Sequence, residues 1–494
     1  MGIVIRQSAK NLTVIYAGLV IGYINTLWLY PLVLSTEQIG FIRIIVSVSF
    51  LLASFASLGA INMPAKFFPY FNNIKKQHNG FLFFLILLGL IGFVLFTIIF
   101  LSFKEVIFSI YEENAALLTE YFYYFIPFTF IALYLGIFQA YTIIQQKPVV
   151  PNFIKEVAIR LFIVISLLLF FFQSVSFNGF VKLILISYAI ALLFQIIYLK
   201  FEKLLFIKPD FSVFRSKYLK SIFIYGLFIL LGNASGLIIT NIDNLMLSAY
   251  KGLRVTGIYT IAFFIATVIE IPRRSLSQSV ISLVSEANKN NDIKILDSLY
   301  KKSSINQLII GALIFIGIWC NVENIFHLMP KSEIFIQGKW VVFFIGLSKL
   351  FDMTTGINGE ILGTSRYYKL DLLFLTILGI LAVITNMIFI PILGGTGAAL
   401  ASAISVFLFN SIRYVFIFKV MRIQPFTFNT VKVLAICSLV FIVNYFVPFT
   451  VNTIIDTIVR SLIILVLFLP LILISKSSED INSIFKTILS RLKS

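Results

Sequence analysis

The segment FLFFLILLGLIGFVLFTIIFLS, from Phe81 to Ser102, contains no charged side chain. An α-helix needs about 20 consecutive apolar residues to cross the roughly 30 Å hydrocarbon core of a bilayer. This segment is long enough and apolar enough to do so. It therefore predicts a transmembrane helix.

The composition of the whole chain agrees with this segment. Of its 494 residues, 60% are hydrophobic and 12% are charged, whereas a soluble domain has about 45–50% apolar and about 25% charged residues. A soluble core cannot hide this much apolar surface. The sequence predicts an all-α integral membrane protein with about 14 transmembrane helices. The apolar stretches lie approximately at 8–34, 40–62, 81–102, 119–144, 152–173, 178–199, 219–247, 256–284, 304–326, 338–362, 371–390, 396–419, 430–449 and 453–475.

The basic residues set the predicted orientation. The chain carries 39 Lys and Arg against 21 Asp and Glu, a net charge of +18. Lys and Arg are enriched in cytoplasmic loops, and with the N-terminus inside, most of them fall in inner loops and the two tails. We therefore expect both termini in the cytoplasm. The positive charge indicates topology and contact with anionic lipid, and we expect no nucleic-acid partner.

The sequence also repeats weakly, at an offset of about 218 residues. IGFIRI (Ile39–Ile44) resembles TGIYTI (Thr256–Ile261), and YFIPFTF (Tyr124–Phe130) resembles FFIGLSK (Phe343–Lys349). Six spans separate the two copies, and six is even, so both copies cross the membrane in the same direction. Secondary transporters are often built from such parallel repeats.

The repeat predicts two parallel six-helix bundles around a central cavity, plus two C-terminal helices. The segment between the bundles is the natural hinge. The predicted divisions are an N-terminal bundle at 1–200, a cytoplasmic linker at 201–218, a C-terminal bundle at 219–422, two additional transmembrane helices at 423–475 and a cytoplasmic tail at 476–494.

Charged residues interrupt the tenth predicted span, in KLFDMTTGINGE (Lys349–Glu360). At 100° per residue, Lys349, Asp352 and Glu360 fall on one helical face. Each charge near mid-bilayer costs about 2.5–3.5 kcal/mol on insertion scales, so this face is not expected to meet lipid. It either lines a water-filled cavity or packs on polar neighbours. In the second case Lys349 pairs with Asp352 at i,i+3, and Glu360 is an interfacial carboxylate near Arg366.

Two further positions are polar in the first and seventh spans. Asp243 follows the polar run GNASGLIITNI near the outer end of span seven, and Asn25 of span one matches it at an offset of 218 residues. Equivalent polar positions would make sense if both faced a shared central cavity. The alternative for Asp243 is a role at the helix end.

The eighth span carries a compact group of charges, Glu270, Arg273 and Arg274, beside Pro272. Proline removes a helical hydrogen bond and is expected to kink the helix. The kink would place the three charges where backbone carbonyls are freed. The alternative is a charged cluster deep at the inner end of the span.

Four other cations lie near predicted span ends: Arg43, Lys66, Lys155 and Arg160. Snorkelling of a long side chain toward the interface explains Arg43 without a binding role. Anchoring at the positive inner side explains the other three. A binding role for any of the four requires a cavity near its charge.

Motifs of soluble enzymes and metal sites are missing from the sequence. It contains no Walker A sequence, and its two cysteines, Cys320 and Cys437, lie in apolar segments without metal-ligand spacing. Its two histidines, His78 and His327, are expected in loops, which argues against a histidine-based metal or proton site. We expect no metal and no cofactor, apart from H⁺ or Na⁺ coupling.

Three stretches resemble the oligosaccharide flippase (Wzx-type polysaccharide transporter) family, of the multidrug/oligosaccharidyl-lipid/polysaccharide exporter superfamily. They are LSTEQIGFIRIIVSVSFLLASFASLGA in spans one to two, NIDNLMLSAYKGLRVTGIYTIAFFIATVIEIPRRSLSQSVISLVSEANKNND in spans seven to nine, and PILGGTGAALASAIS before span twelve. The similarity covers essentially the whole chain and contains no catalytic signature.

The resemblance implies a transporter (flippase) and not an enzyme. Its cargo would be a polyprenyl-diphosphate-linked oligosaccharide, moved by alternating access from the inner to the outer leaflet of the bacterial cytoplasmic (inner) membrane. The product would serve surface polysaccharide biosynthesis, such as O-antigen of lipopolysaccharide or capsule. Expected partners are the lipid-linked oligosaccharide, membrane lipids, and the polymerase and glycosyltransferases of the same pathway.

This cargo gives the polar residues candidate roles. An anionic diphosphate needs cations in a hydrated cavity. The candidate substrate-binding cations are Arg43, Lys66, Lys155, Arg160, Arg273, Arg274 and Lys349. The candidates for ion coupling, or for holding those cations, are Asn25, Asp243, Glu270, Asp352 and Glu360.

Three alternatives stay open. A cation-coupled multidrug exporter would need an acidic cavity, whereas the first six spans carry almost no acid at depth. A membrane polysaccharide polymerase or glycosyltransferase would need a larger outer loop than 103–118 or 327–337. A lipid II flippase differs from the prediction by its cargo alone.

Overall fold

A computed structural model describes residues 2–111, 115–216, 218–448, 450 and 452–492. All regular secondary structure in these ranges is helical. The chain divides into two compact units, residues 1–257 and residues 258–494. The five divisions predicted from the repeat stay a prediction.

The described residues of the first unit form eleven α-helices and the first part of a twelfth, α12, which continues into the second unit. Its α-helices are α1 (Gly2–Ile24), α2 (Tyr30–Val33), α3 (Thr36–Ala56), α4 (Met63–Phe71), α5 (Phe81–Ser102), α6 (Lys104–Tyr111), α7 (Ala116–Glu120), α8 (Phe125–Ile144), α9 (Val149–Phe153), α10 (Ile159–Phe171), α11 (Phe177–Phe201) and α12 (Leu219–Thr267). Short 3-10 turns lie at Ile74–Gly80, Phe122–Tyr124 and Ser212–Arg215, and π-helical turns at Asn25–Leu29 and Ile154–Ala158.

The second unit contains the end of α12 and ten further α-helices in its described residues. They are α13 (Ile271–Lys289), α14 (Ile293–Cys320), α15 (Val322–His327), α16 (Ser332–Phe335), α17 (Lys339–Thr354), α18 (Asn358–Thr364), α19 (Tyr368–Met421), α20 (Phe428–Tyr445), α21 (Thr453–Ile474) and α22 (Glu479–Leu492). Its 3-10 turns lie at Val268–Glu270 and Ile336–Gly338.

Eleven helical segments in the described ranges are long and apolar enough to cross a membrane. The predicted spans 371–390 and 396–419 are joined in α19, which has 54 residues and leaves helical geometry at Gly394. A π-helical turn at Ile154–Ala158 interrupts the predicted span 152–173 and leaves 13 residues in α10. The all-α membrane fold class is confirmed, and the exact count of 14 spans stays a prediction.

The apolar helix α5 packs through its glycines on one side only. A Cβ added at Gly92 would overlap the carbonyl oxygen of Ala56, so α5 touches the end of α3 directly. Lipid tails are as apolar as leucine, and membrane helices therefore associate through small residues that let backbones approach. Ile91 and Leu95 are about half exposed. The helix thus has one packed face and one face open to lipid.

Two glycines of the predicted repeat form a reciprocal contact in the first unit. A Cβ added at Gly40 would overlap the carbonyl oxygen of Leu253, and a Cβ added at Gly257 would overlap that of Thr36. Gly257 follows Gly40 by 217 residues, and Leu253 follows Thr36 by the same 217 residues. Equivalent positions therefore exchange the same contact, as in an isologous interface. A parallel repeat predicts this geometry, and both positions need a residue without a side chain.

Candidate functional site

The charged segment at residues 349–360 is not one continuous helix. Helix α17 ends at Thr354, Gly356 has φ +63°, and α18 begins at Asn358. A single helical face through Lys349 and Glu360, as the sequence predicts, is therefore wrong. The chain turns between them, because glycine at positive φ breaks the helix.

The charged segments at residues 270–274 and 349–360 pair with each other, because the carboxylate of each holds a cation of the other. The Nζ of Lys349 lies 2.5 Å from Oε2 of Glu270, and Arg274 donates from Nε to Oε1 of Glu270 at 3.3 Å. Arg273 forms an ion pair with Asp352. The predicted alternative of a Lys349–Asp352 pair is wrong, because each side chain has a different partner. Two acids thus hold three cations.

The local break before Pro272 explains how these charges meet. A 3-10 turn at Val268–Glu270 separates α12 from α13, and Pro272 lies in the first turn of α13. Proline is tolerated there because the first N–H groups of a helix have no intrahelical partner. The predicted break in the eighth span is therefore present as the 3-10 turn before Pro272. It brings the start of α13 to α17.

An amide network fixes the break in the tenth span. Asn410 donates from Nδ2 to Oδ1 of Asp352 at 3.0 Å. Its own Oδ1 accepts from Asn358 Nδ2 at 2.9 Å and from Thr355 Oγ1 at 3.2 Å. Asn410 and Asn358 are fully buried, and a buried amide must be hydrogen-bonded. The network therefore locks Asp352 in the orientation that meets Arg273.

Sequence reasoning missed a second buried ion pair nearby. Arg413 in α19 lies 2.6 Å from Asp371, and its guanidinium lies 4.1 Å from the ring centroid of Phe409. A Cβ at Gly359 would come within 3.1 Å of the guanidinium, so the glycine makes room for it. The signal was available, since Asn410 and Arg413 stand at i,i+3 in an apolar span, the same spacing as Lys349 and Asp352.

Glu360 lies within the same cluster and not at an interface with Arg366. It is within electrostatic reach of Arg273 and Asp371, whereas Arg366 donates to the Tyr367 hydroxyl at 2.7 Å. Among the described residues, Oε2 of Glu360 and Nε of Arg273 are buried without a hydrogen-bond partner. Buried unsatisfied groups mark a place where water, an ion or a ligand can bind.

In the first unit, two π-helical turns adjoin a charged group. Arg160 donates to the carbonyl oxygen of Gly18 and to Oε2 of Glu156 at 2.9 Å. Asn25, at the start of one π-turn, donates from Nδ2 to the carbonyl of Arg160 at 3.1 Å. A Cβ at Gly22 would come within 2.5 Å of the Arg160 guanidinium. Glycines in α1 therefore admit the charged side chain, and π-turns are frequent at functional sites.

Arg43 belongs to the same region. It is half-buried, and both Arg43 and Arg160 lie within electrostatic reach of Tyr30 and Tyr188. The structure thus brings together the predicted residues Arg43, Arg160 and Asn25. The choice between snorkelling and a binding role for Arg43 stays a prediction.

A cavity of about 940 Å³ opens in the first unit, along α3, α4 and α8. Lys155, exposed in the second π-turn, lines it. Among the described residues, Lys155 forms no ion pair with a carboxylate. Backbone and apolar side chains complete the walls, and the other hydrogen-bonding side chains are Ser54, Asn62, Gln139 and Gln146. The cavity can therefore hold a polar ligand beside one uncompensated positive charge.

The remaining predicted residues lie apart from this cavity. Lys66 is exposed, with Nζ 4.2 Å from the ring centroid of Tyr225. Asp243 is 5% exposed in α12 and has an interaction partner, as have the buried Asn241 and Asn244. A shared cavity for Asn25 and Asp243 stays a prediction. The roles of all the candidate site residues also stay predictions.

The family model of polysaccharide biosynthesis proteins matches residues 6–281. The chain belongs to this family. The predicted relationship to polysaccharide transporters is therefore confirmed. The matched range includes the Arg160 group, the cavity and Glu270, Arg273 and Arg274, whereas Lys349 and Asp352 follow it.

Solved structures show which fold this family member has. The lipid II flippase MurJ, in an inward closed conformation, superposes with TM-score 0.72 at 16% identity, covering 98% of this chain and 99% of that chain. An inward-facing multidrug resistance MATE family transporter gives TM-score 0.64 at 15% identity, over 82% and 94%. A superfamily transporter from Pyrococcus furiosus, whose binding pocket has reversed polarity, gives 0.54 at 16%, over 85% and 95%. No curated protein matches the sequence.

These comparisons define the protein class. The chain is a multi-pass membrane protein of the polysaccharide biosynthesis family with a transporter fold. At such low identity the solved structures show the fold alone, so cargo and coupling must be argued from this chain's own residues.

Proposed function

We propose that this protein flips a polyprenyl-diphosphate-linked oligosaccharide from the inner to the outer leaflet of the bacterial cytoplasmic membrane by alternating access. The oligosaccharide would enter a surface polysaccharide such as O-antigen or capsule. The observation that carries the proposal is Lys155, a cation without a carboxylate partner among the described residues, in a cavity of about 940 Å³. Family membership supports a role in polysaccharide biosynthesis.

The chemistry of the cavity suits such a cargo. A diphosphate is anionic and bonds to cations through several oxygens. Sugar hydroxyls need donors and acceptors, which Asn62, Gln139 and Gln146 supply beside Lys155. A cationic drug would instead be repelled by Lys155. This charge disfavours the multidrug exporter, even though that class shares the fold.

In this proposal, ion coupling uses the ion pairs of the second unit. Lys349 and Arg273 are held by Glu270 and Asp352. A diphosphate that bonded to these cations would compete with the carboxylates for them. A half-buried carboxylate that loses its cation favours proton uptake. Coupling to H⁺ is therefore part of the proposal, and coupling to Na⁺ is the alternative outcome.

Deleting the gene tests the proposed cargo. We expect lipid-linked oligosaccharide to accumulate on the cytoplasmic leaflet, and surface glycan to disappear until the wild-type gene is restored. The leaflet that holds the oligosaccharide is identified by testing whether a membrane-impermeant glycosidase can cleave it or a membrane-impermeant lectin can bind it. Accumulation of lipid II would assign the chain to the lipid II flippases instead. Unchanged surface glycan would rule out the proposal.

Replacing Lys155 by alanine is expected to lower glycan export about 10- to 100-fold, because a hydrogen bond to a charged group contributes about 1.5–3 kcal/mol. Protein abundance should stay unchanged, since Lys155 is exposed. Export is measured in the deletion strain complemented with each variant. Lys75→Ala is the matched control, because Lys75 is also exposed and lies outside the cavity. Wild-type export by Lys155→Ala would remove Lys155 from the proposed binding site.

A further inference from the structure

A second polar cavity lies in the second unit, at the end that the basic-residue rule places in the cytoplasm. It has a volume of about 450 Å³ and opens where α13 ends, α14 begins and α18 meets α19. The helix ends forming it are tied together by Asn288, which donates from Nδ2 to the Ile361 carbonyl at 3.0 Å and to Thr364 Oγ1 at 2.7 Å. The cavity is thus a built feature of the helix ends.

Three cations line this cavity: Lys289, Arg366 and Arg422. No carboxylate is among the lining residues. In the described part of the second unit none of the three forms an ion pair with a carboxylate, whereas Lys349, Arg273 and Arg413 do. Like charges held close together repel one another, so the cavity favours an anion.

The remaining lining residues narrow the class of anion. The hydroxyl group of Ser285 and the amide group of Asn291 can donate hydrogen bonds to phosphate oxygens. Apolar side chains form another part of the wall, and two of them, Ile293 and Val420, are exposed. A free phosphate ion has no apolar part that could pack against that wall. A phosphate attached to acyl chains would fit both parts.

We propose that this cavity binds the phosphate headgroup of an anionic phospholipid in the predicted cytoplasmic leaflet, with phosphatidylglycerol as the representative ligand. Basic pockets between transmembrane helices on the cytoplasmic side suit such headgroups. The cations hold the phosphate, the hydroxyl and amide groups orient it, and Val420 and Ile293 meet the first part of the acyl chains. The site is separate from the transported lipid and does not depend on the proposed cargo.

The test is a titration of the purified full-length protein in neutral detergent with phosphatidylglycerol, followed by native mass spectrometry and by thermal unfolding. We expect tight binding and a raised Tm with phosphatidylglycerol and neither with phosphatidylcholine. The triple variant Lys289→Gln/Arg366→Gln/Arg422→Gln is expected to bind on the order of 100-fold more weakly, since each basic residue near an anionic lipid contributes a factor of about five.

A matched control separates the site from diffuse charge. Lys75→Gln/Lys76→Gln/Lys200→Gln removes the same charge from exposed residues outside the cavity and should bind phosphatidylglycerol like the wild type. Equal weakening in both triple variants would overturn the proposal. Ser285→Phe fills the cavity from an exposed position without changing charge, and it should also weaken binding. This variant tests the proposal even where the cationic triple variant fails to fold.

Two further probes identify the source of the phosphate. Inorganic phosphate at the same concentration should not raise the Tm, and equal protection by it would overturn the assignment to a lipid. Polyprenyl diphosphate in the same detergent should not displace phosphatidylglycerol from the wild type. Displacement that the cationic triple variant abolishes would assign the cavity to the transported lipid and overturn the proposal.

Discussion

Replacing Gly257 by alanine is expected to destabilise the protein by about 1–3 kcal/mol, the usual cost of overpacking a close contact. The added methyl group overlaps the carbonyl oxygen of Thr36, and a methyl group at Gly40 overlaps that of Leu253. Both obstacles are backbone atoms, which cannot rotate away as a side chain can. The helices must separate, and thermal unfolding of the purified protein in detergent should show a lower Tm for either variant.

Gly317→Ala is the matched control for these variants. Gly317 also lies inside a helix, α14, and its added Cβ would meet nothing within 4 Å. Alanine is favoured over glycine in a helix by about 1 kcal/mol, so this variant should be neutral or slightly more stable.

The double variant Gly40→Ala/Gly257→Ala tests the reciprocity of the contact. Separating the helices for one methyl group also makes room for the other, so the double variant should cost little more than either single one. Strict additivity of the two effects would show that the two glycines act independently. Wild-type stability of Gly257→Ala would show that the contact is not needed.

The repeat shows how far sequence reasoning reached. The sequence similarity between Ile39–Ile44 and Thr256–Ile261 is weak. These segments nevertheless contain Gly40 and Gly257, which make equivalent contacts. The apolar segment at Phe81–Ser102 gave a helix with the same bounds. The helix prediction succeeded because it depends on local composition, on which lipid imposes one solution. The domain bounds predicted from the repeat stay a prediction.

The partners of the charged residues could not be obtained in this way. A helical wheel assumes an unbroken helix. The helix is broken at Gly356, which has positive φ, between Lys349 and Glu360. The pairing of Lys349 with Glu270 joins residues far apart in the chain. Periodicity carries no information on such tertiary contacts, so it could place the charges on a face but could not choose their partners.

The π-helical turns were missed for a related reason. Asn25–Leu29 and Ile154–Ala158 have ordinary apolar composition on either side. A single extra residue in a helical turn leaves no mark in hydropathy, although Asn25 and Lys155 both lie in such turns. The geometry that groups the predicted residues comes from the fold, and their roles stay predictions.

Arg413→Ala is expected to destabilise the second unit by about 3–5 kcal/mol, the cost of removing one partner of a buried ion pair. Its side chain is 9% exposed and that of Asp371 is 12% exposed. The variant leaves the Asp371 carboxylate nearly buried without its cation, and it also loses the contact with Phe409. Unfolding in mixed micelles, monitored by tryptophan fluorescence, measures the change.

The double variant Arg413→Met/Asp371→Leu should recover most of that loss, because replacing both partners by apolar residues of similar size leaves no unpaired charge. Export by this variant should stay close to wild type if the pair only supports the fold. Recovery of stability together with lost export would instead place Arg413 among the substrate-binding cations.

The Lys349–Glu270 pair gives the contrasting case. Its side chains are 25% and 17% exposed, so water or a phosphate can reach them, whereas the Arg413–Asp371 pair is more enclosed. Lys349→Met/Glu270→Leu is therefore expected to fold like the wild type and to lose export, because the cation is removed from an accessible site. If both double variants export normally, neither pair contacts the cargo, and the diphosphate must bind to the remaining candidate cations, which include Arg273 and those of the first unit.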